Sequence, residues 1–402
     1  VTPEPGGALE RPAPARGLDV AAVRRRFSSL GRGFAFLDAP GGTQVPNEVG
    51  DAIAAALREA SGNLGAPYET GRRVEAILAG AKSAAAGFLG CDPDEVVFGA
   101  NMTTLNFALS RAAARDLEPG DEVLVTRLDH DANVAPWLEL ARDHDLIVRW
   151  IDVREDLTLD LDDLERKLSE RVRVVAFPWA SNAVGSLVDA ERVCELAHAA
   201  GALAWIDAVH YAAHGPVDVA GVGADVLICS AYKFCGPHLG IAFARAEVAG
   251  RWRPYKARPA PSEPLGRRFE TGTPPFELLA GLEASLGYLA SIGGMEAIVP
   301  YERELAGRFL EGLPGAVGVY GPRTVDARVP TFLINVGDLP ARHVAETLAG
   351  RGYGVWHHDS YYSLGLVDRL PFDGEAVRIG LCHYNTAGEL DGLLDELARL
   401  AA

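Results

Sequence analysis

Short continuous apolar runs, alternating with amphipathic helical stretches, constrain this chain more than any other feature of its sequence. The runs are Glu122–Thr126, Leu146–Val153, Val172–Trp179, Ala202–Val209, Asp225–Ser230 and Gly240–Ala244, and a further one opens the segment VVFGANMTTLNFAL at Val96. A strand that is apolar throughout, rather than at alternate positions, has both faces buried. Such strands separated by helices, here Arg72–Leu89 and Glu191–Ala200 among others, fold into a mostly parallel sheet covered on both sides. We therefore expect an α/β protein whose large domain holds a mostly parallel seven-stranded sheet. After Gly294 the pattern changes to a long helix, Met295–Leu313, then short strands and a last helix, Glu389–Leu400. This reads as a smaller α/β domain. Residues 1–18 are rich in Pro, Gly and Ala without apolar periodicity and read as a flexible tail. Residues 19–294 then form an N-terminal segment and the large domain, and residues 295–402 the small C-terminal domain.

The formal net charge of -17 disfavours phosphate backbones and anionic lipid surfaces, so neither nucleic acid nor membrane is an expected partner. No apolar run approaches the roughly 20 residues that span a bilayer, and the N-terminus lacks a signal peptide's basic-then-apolar order. A cytoplasmic location is expected. The five cysteines, Cys91, Cys194, Cys229, Cys235 and Cys382, are odd in number and lack CxxC spacing, which points to reduced thiols rather than disulfides or a zinc site. The adjacent His357 and His358 would face opposite ways on an extended chain, so no metal is expected there either.

Ligands of an open α/β sheet bind beyond the carboxyl ends of its strands. The residues at those ends form a set. AFPWASN brings Ser181 and Asn182, AWIDAVH brings Asp207 and His210, and DVLICSAYK brings Ser230, Tyr232 and Lys233. Only Lys82, Lys167, Lys233 and Lys256 are lysines; Lys82 and Lys167 lie in polar helical stretches and Lys256 in an arginine-rich loop. Lys233 instead follows a buried strand. Partial desolvation there lowers an amine's pKa and makes it the nucleophile that Schiff-base chemistry requires. Asp207 ends a buried strand with no basic neighbour nearer in sequence than His210, and a cofactor cation would supply its partner. Pyridoxal 5'-phosphate, whose pyridine nitrogen a carboxylate keeps protonated, fits both observations. The helix beginning near Met102 adds a phosphate cradle of first-turn amides with the hydroxyls of Thr103 and Thr104.

With these residues in place, WIDAVHYAAHGPVDVAGVGADVLICSAYKFCGPHLGIAF resembles the lysine-bearing segment of class V aminotransferases and cysteine desulfurases, of pyridoxal-phosphate fold type I. The resemblance continues through LDHDANVAPW, RFETGTPPFELLAG and VRIGLCHYNTAGEL. It implies that Lys233 carries the cofactor, that Asp207 pairs with the pyridine nitrogen and that His210 bonds the phenolic oxygen. Met102, Thr103, Ser230 and Tyr232 would serve the phosphate, and Thr273 would reach the phosphate of a neighbouring subunit, which implies a homodimer. Asn182 would stand beside the ring and Arg378 would hold the α-carboxylate of a small amino-acid substrate. Alternation in AVRIGLCHY supports the last assignment, since Arg378 faces away from Val377 and Ile379.

Two departures from the family pattern bear on the reaction. The ring-stacking histidine of cysteine desulfurases aligns with Asp131, His130 lying one residue earlier. The loop that carries their sulfur-accepting cysteine corresponds to GVWHHDSYYSLGL, which contains no cysteine. Tyr361 falls near the cysteine position, and His358 is expected in the polar wall of the substrate pocket. The sequence thus suggests C–S bond cleavage by β-elimination from a cysteine-derived substrate. The alternatives are an aminotransferase, a cysteine desulfurase with a relocated cysteine, and a non-catalytic cofactor-binding or sulfur-relay partner.

Overall fold

The computed structural model describes residues 17–372 and 374–402. The expected tail, apart from Gly17 and Leu18, lies outside the described residues. Seven strands form the large sheet: β1 (Val96–Gly99), β2 (Glu122–Thr126), β3 (Ile147–Ile151), β4 (Val172–Pro178), β5 (Leu203–Asp207), β6 (Val226–Ser230) and β7 (Gly240–Ala244). Their order is β1-β7-β6-β5-β4-β2-β3. Every pairing is parallel except those of β7, which runs against both β1 and β6. The mostly parallel sheet expected from the apolar runs is present.

Alternate residues of one strand feed two different cores, as a sheet covered on both faces requires. Val175 and Phe177 of β4, with Leu227 and Cys229 of β6, join one cluster, while Val174, Ala176, Val226 and Ile228 join the other. The first cluster is closed by α2 (Glu69–Leu89) and α4 (Phe276–Ser291), with α1 (Asn47–Glu59) packed on α4; the second is closed by α3 (Met102–Ala113). Among the described residues no single helix is long and apolar enough to cross a membrane.

The C-terminal part opens with α5 (Gly294–Gly312) and carries an antiparallel sheet of β8 (Val317–Tyr320), β9 (Thr331–Val336), β10 (Trp356–His358) and β11 (Ala376–Gly380), in the order β10-β11-β9-β8. Its own core packs Phe309, Phe332, Ile379 and Leu393 of α6 (Ala387–Ala401). Ala35 and Leu37 belong to this core, and Ala35–Phe36 pairs in parallel with Tyr353–Gly354. That two-residue strand is too short to register as periodicity in the sequence. Its position matters, because the chain passes from Leu37 straight to Asp38, which bridges to Gly380 beside the strand bearing Arg378.

Candidate active site

The carboxyl edge of the sheet and the C-terminal part of the chain enclose a cavity of about 210 Å³. Three strand ends and one helix start converge on it. Asp207 is the last residue of β5, level with Pro178 of β4 and Ile228 of β6. Lys233 follows β6 after one turn of 3₁₀ helix. α3 begins at Met102 because Asn101 caps it, its side chain accepting the Thr104 N–H at 2.8 Å. Gly240 allows that helix start to lie against the sheet, since a Cβ there would come within 2.4 Å of the Asn101 backbone.

Burial shapes the charges in the cavity. It lowers the Lys233 amine to about 8, raises the Asp207 carboxyl to about 6 and lowers the His130 imidazole to about 4, each time by penalising the charged form. Lys233 Nζ donates to the carbonyls of Pro40 and Gly41. Among the described residues the one hydrogen bond to the Asp207 carboxylate comes from Val209 N–H at 2.8 Å. Asp129, fully buried nearby and bonded by Thr126 and Asn133, is held well above the usual carboxylate range by burial and then by Asp207. His210, also lowered by burial, bonds Thr331 Oγ1 through Nε2 at 2.8 Å.

Opposite the sheet edge stands the loop after β10. Arg378 is buried, with Nη2 at 2.9 Å from Asp38 Oδ1 and Nη1 donating to the Asn182 carbonyl. Its guanidinium lies 4.3 Å from the Tyr361 ring centroid and 5.5 Å from that of Trp356. Tyr361 and Tyr362 both adopt left-handed backbone, φ 51° and 62°, a conformation that tight tertiary contacts must hold. The Tyr361 hydroxyl is within bonding distance of the carbonyls of Trp356 and Ala376, and Asn182 Nδ2 donates to the Tyr361 carbonyl. Asn182 Oδ1 accepts from Ser363 Oγ, so one side chain ties the loop to the sheet edge.

Met102, Thr103, Asn182, Asp207, His210, Tyr232, Lys233, Tyr361 and Arg378, separated in sequence, all line this cavity. Four expected residues do not. Asp131 turns away and His130 lines the wall instead, because the loop puts His130 Nδ1 on the Ala132 N–H and the Asp131 N–H on the Tyr362 carbonyl. His130 also stacks on Tyr362, ring centroids 5.2 Å apart. A histidine is thus present at the wall, one residue from the aligned position. Ser230 is buried behind the wall, its Oγ accepting the Met102 N–H at 2.9 Å. His358 braces the loop, Nδ1 accepting from the amides of Ser360 and Tyr361. Thr273 is exposed and outside the cavity of its own chain.

Sequence reasoning missed Asp38 and the Pro40-Gly41 backbone. Asp38 ends the apolar stretch FAFLD before a Pro-Gly-Gly turn, the same strand-end signal that revealed Asp207. The cavity fits pyridoxal phosphate: Lys233 offers an amine, Asp207 a carboxylate free for a ring cation, and the α3 start a phosphate end. There Met102 N–H is taken by Ser230 and Thr104 N–H by Asn101, which leaves the Thr103 amide and hydroxyl as the donors of that turn.

The same fold occurs in the apo cysteine desulfurase of Thermococcus onnurineus NA1, at TM-score 0.90 and 24% identity over 96% of this chain and 99% of that one. It also occurs in the cysteine desulfurase CsdA of Escherichia coli, at TM-score 0.86 and 22% identity over 96% and 99%. These likenesses define an α/β protein of pyridoxal-phosphate fold type I. The family model of class-V aminotransferases matches residues 35–393. Relatives include a probable cysteine desulfurase of Mycobacterium leprae (strain TN), 33% identical over 95% of this chain and 96% of its own. The aminotransferase-like protein FGM3 of Gibberella zeae is 32% identical over 94% and 97%. The chain belongs to the class-V aminotransferase family and is a pyridoxal-phosphate-dependent enzyme.

Proposed function

We propose that this enzyme is a C–S lyase that eliminates a thiol from the β-carbon of a cysteine-derived amino acid. One observation carries the reading: no described cysteine lines the cavity, and the loop where similar desulfurases hold their sulfur acceptor presents the buried, doubly bonded Tyr361 instead. Relatives named as cysteine desulfurases support chemistry at a C–S bond.

Pyridoxal phosphate, when bound, supplies an electron sink for negative charge at the substrate α-carbon. The chain's own residues do the rest. Asp207 would keep the ring nitrogen protonated, and the Thr103 donors would anchor the phosphate end. Arg378 would take the α-carboxylate in place of Asp38, its guanidinium held in plane by Tyr361 and Trp356. The Lys233 amine would remove the α-proton. Because His130 Nδ1 accepts a backbone N–H, the neutral ring carries its hydrogen on Nε2, where it can hydrogen-bond the departing sulfur. The Cα–H and Cβ–S bonds break, the sulfur leaves with its electron pair and takes up a proton, and the released enamine hydrolyses to a 2-oxo acid and ammonia.

The test is a product balance on the cofactor-loaded enzyme with cysteine, cystine and S-substituted cysteines. Thiol, 2-oxo acid and ammonia in equal amounts support the lyase. Alanine with a protein-bound persulfide would identify a desulfurase, and amino-group transfer to an added 2-oxo acid would identify an aminotransferase.

A further inference from the structure

Behind the Lys233 loop, away from the cavity, the fold brings together Cys235, Cys382 and His383, whose ligand atoms all lie within 4.8 Å of one another. All three are buried. Cys382 Sγ is 3.3 Å from His383 Nδ1. Glu302 of α5, only 1% exposed, places Oε1 4.0 Å from that nitrogen, and among the described residues this oxygen has no hydrogen-bond partner. A buried carboxylate oxygen without a partner is costly and calls for an explanation.

We propose that Cys235, Cys382, His383 and Glu302 bind one thiophilic divalent cation of the zinc class. Two sulfurs, one imidazole nitrogen and one carboxylate oxygen are a zinc donor set, and tetrahedral bonds of about 2.0–2.3 Å put ligand atoms roughly 3.5 Å apart. Cys235, Cys382 and His383 already lie within 4.8 Å of one another, and Glu302 Oε1, 4.0 Å from His383 Nδ1, would swing inward to complete the set. The surrounding contacts match those of a metal centre. His383 Nε2 lies 2.7 Å from the Tyr288 hydroxyl, the kind of outer partner that fixes a ligating histidine's tautomer. His214 Nδ1 lies 2.7 Å from the other Glu302 oxygen, orienting the carboxylate. Cys235 is held at φ 66°, strained for a residue with a Cβ, by its N–H bond to Thr43 Oγ1.

Binding would release the thiol protons of both cysteines to solvent, and the cation would offset most of the charge of two thiolates and a carboxylate. The site would also join two parts of the enzyme. Cys235 is two residues beyond Lys233, whereas Cys382 and His383 follow the strand that carries Arg378. A cation here would pin the cofactor lysine's loop to the carboxylate clamp. None of its ligands lines the cavity, so the role is structural.

The experiment measures metal in the full-length holoenzyme purified without chelator, followed by titration of stripped, reduced protein with Zn²⁺ or Co²⁺. About one zinc per chain is expected, with Co²⁺ giving tetrahedral d–d bands at wavelengths longer than cofactor absorption. The double variant C235S/C382S should lose the metal while keeping its circular dichroism. If that variant does not fold, Y288F, which leaves every ligand in place, should bind roughly 10-fold more weakly. Reduced wild-type protein that takes up neither metal, zinc that persists in folded C235S/C382S, or a Cys235–Cys382 disulfide in the isolated protein would each overturn the proposal.

Discussion

Lys233 and Asp207 show how one environment tunes two groups in opposite directions. Burial makes the lysine a better nucleophile and the aspartate a worse anion, and a cofactor bearing a ring cation would favour the ionised aspartate. Borohydride reduction of the holoenzyme should label Lys233; a label on Lys82, Lys167 or Lys256 would refute the assignment. The Asp207 carboxyl, at about 6 in the fold against an ordinary 3.8, also has a signed consequence. Below about pH 4 both folded and unfolded states are protonated and the shift has no effect. As pH rises towards 6 the unfolded chain ionises first, so the cofactor-free fold loses stability, by about 3 kcal/mol once both states are ionised. Lys233 is the cation facing Asp207, and Asp129, its own carboxyl held well above the usual range by burial, is the facing acid. Apo wild type should therefore lose stability relative to apo Asp207→Asn between pH 4 and 7 in urea titrations, and adding cofactor should remove much of the loss. A wild type that gains on the variant as pH rises would mean that Asp207 is already ionised and paired in the empty site.

At the scale of single elements, the loop after β10 and the buried face of α2 carry separate predictions. Tyr361→Phe removes the hydroxyl that bonds the Trp356 and Ala376 carbonyls but keeps the ring beneath Arg378. Stability should fall by about 1–2 kcal/mol, and the loosened clamp should raise KM more than it lowers kcat; an unchanged KM would separate the loop from the clamp. Lys82 departs from its sequence reading. Instead of a solvated helix lysine it is a buried one, with Nζ at 2.8 Å from Glu270 Oε1, and Arg267 flanks the same carboxylate. Burial pulls its pKa down and Glu270 pulls it up. Lys82→Ala should cost about 3 kcal/mol, because it leaves Glu270 buried with one partner fewer; denaturant unfolding would show it. A loss under 1 kcal/mol would mean that Arg267 alone satisfies the carboxylate.

For the whole molecule, Thr273, which the family resemblance assigns to a phosphate, is exposed and lies outside the cavity of its own chain. A surface groove of about 400 Å³ lined by Thr271, Tyr255 and Thr104 also reaches Thr103, which is on the cavity wall. We therefore expect a homodimer in which Thr273 of one chain approaches the Thr103 end of the other. Sedimentation should give a dimer, and Thr273→Ala should weaken cofactor binding by about tenfold, the loss of one hydrogen bond to a charged group. A monomer that retains cofactor tightly would exclude the role.

The sequence by itself determined the sheet and most of the site. Unbroken apolar strands can be buried only between two layers of helices, and polar residues at their carboxyl ends fall on one edge whatever the loops do. Asp207, Lys233, Asn182 and Thr103 were legible for that reason. Backbone direction within loops was not legible, because it depends on contacts between distant segments. His130 rather than Asp131 faces the cavity because Tyr362 holds the Asp131 amide, and Asp38 meets Arg378 because the two-residue strand Ala35–Phe36 docks on Tyr353–Gly354. Cysteine spacing likewise says nothing about Cys235 and Cys382, which are far apart in sequence and join one buried cluster behind the lysine loop. Only the tertiary structure could bring them together, since proximity of distant segments is a property of packing and not of local pattern.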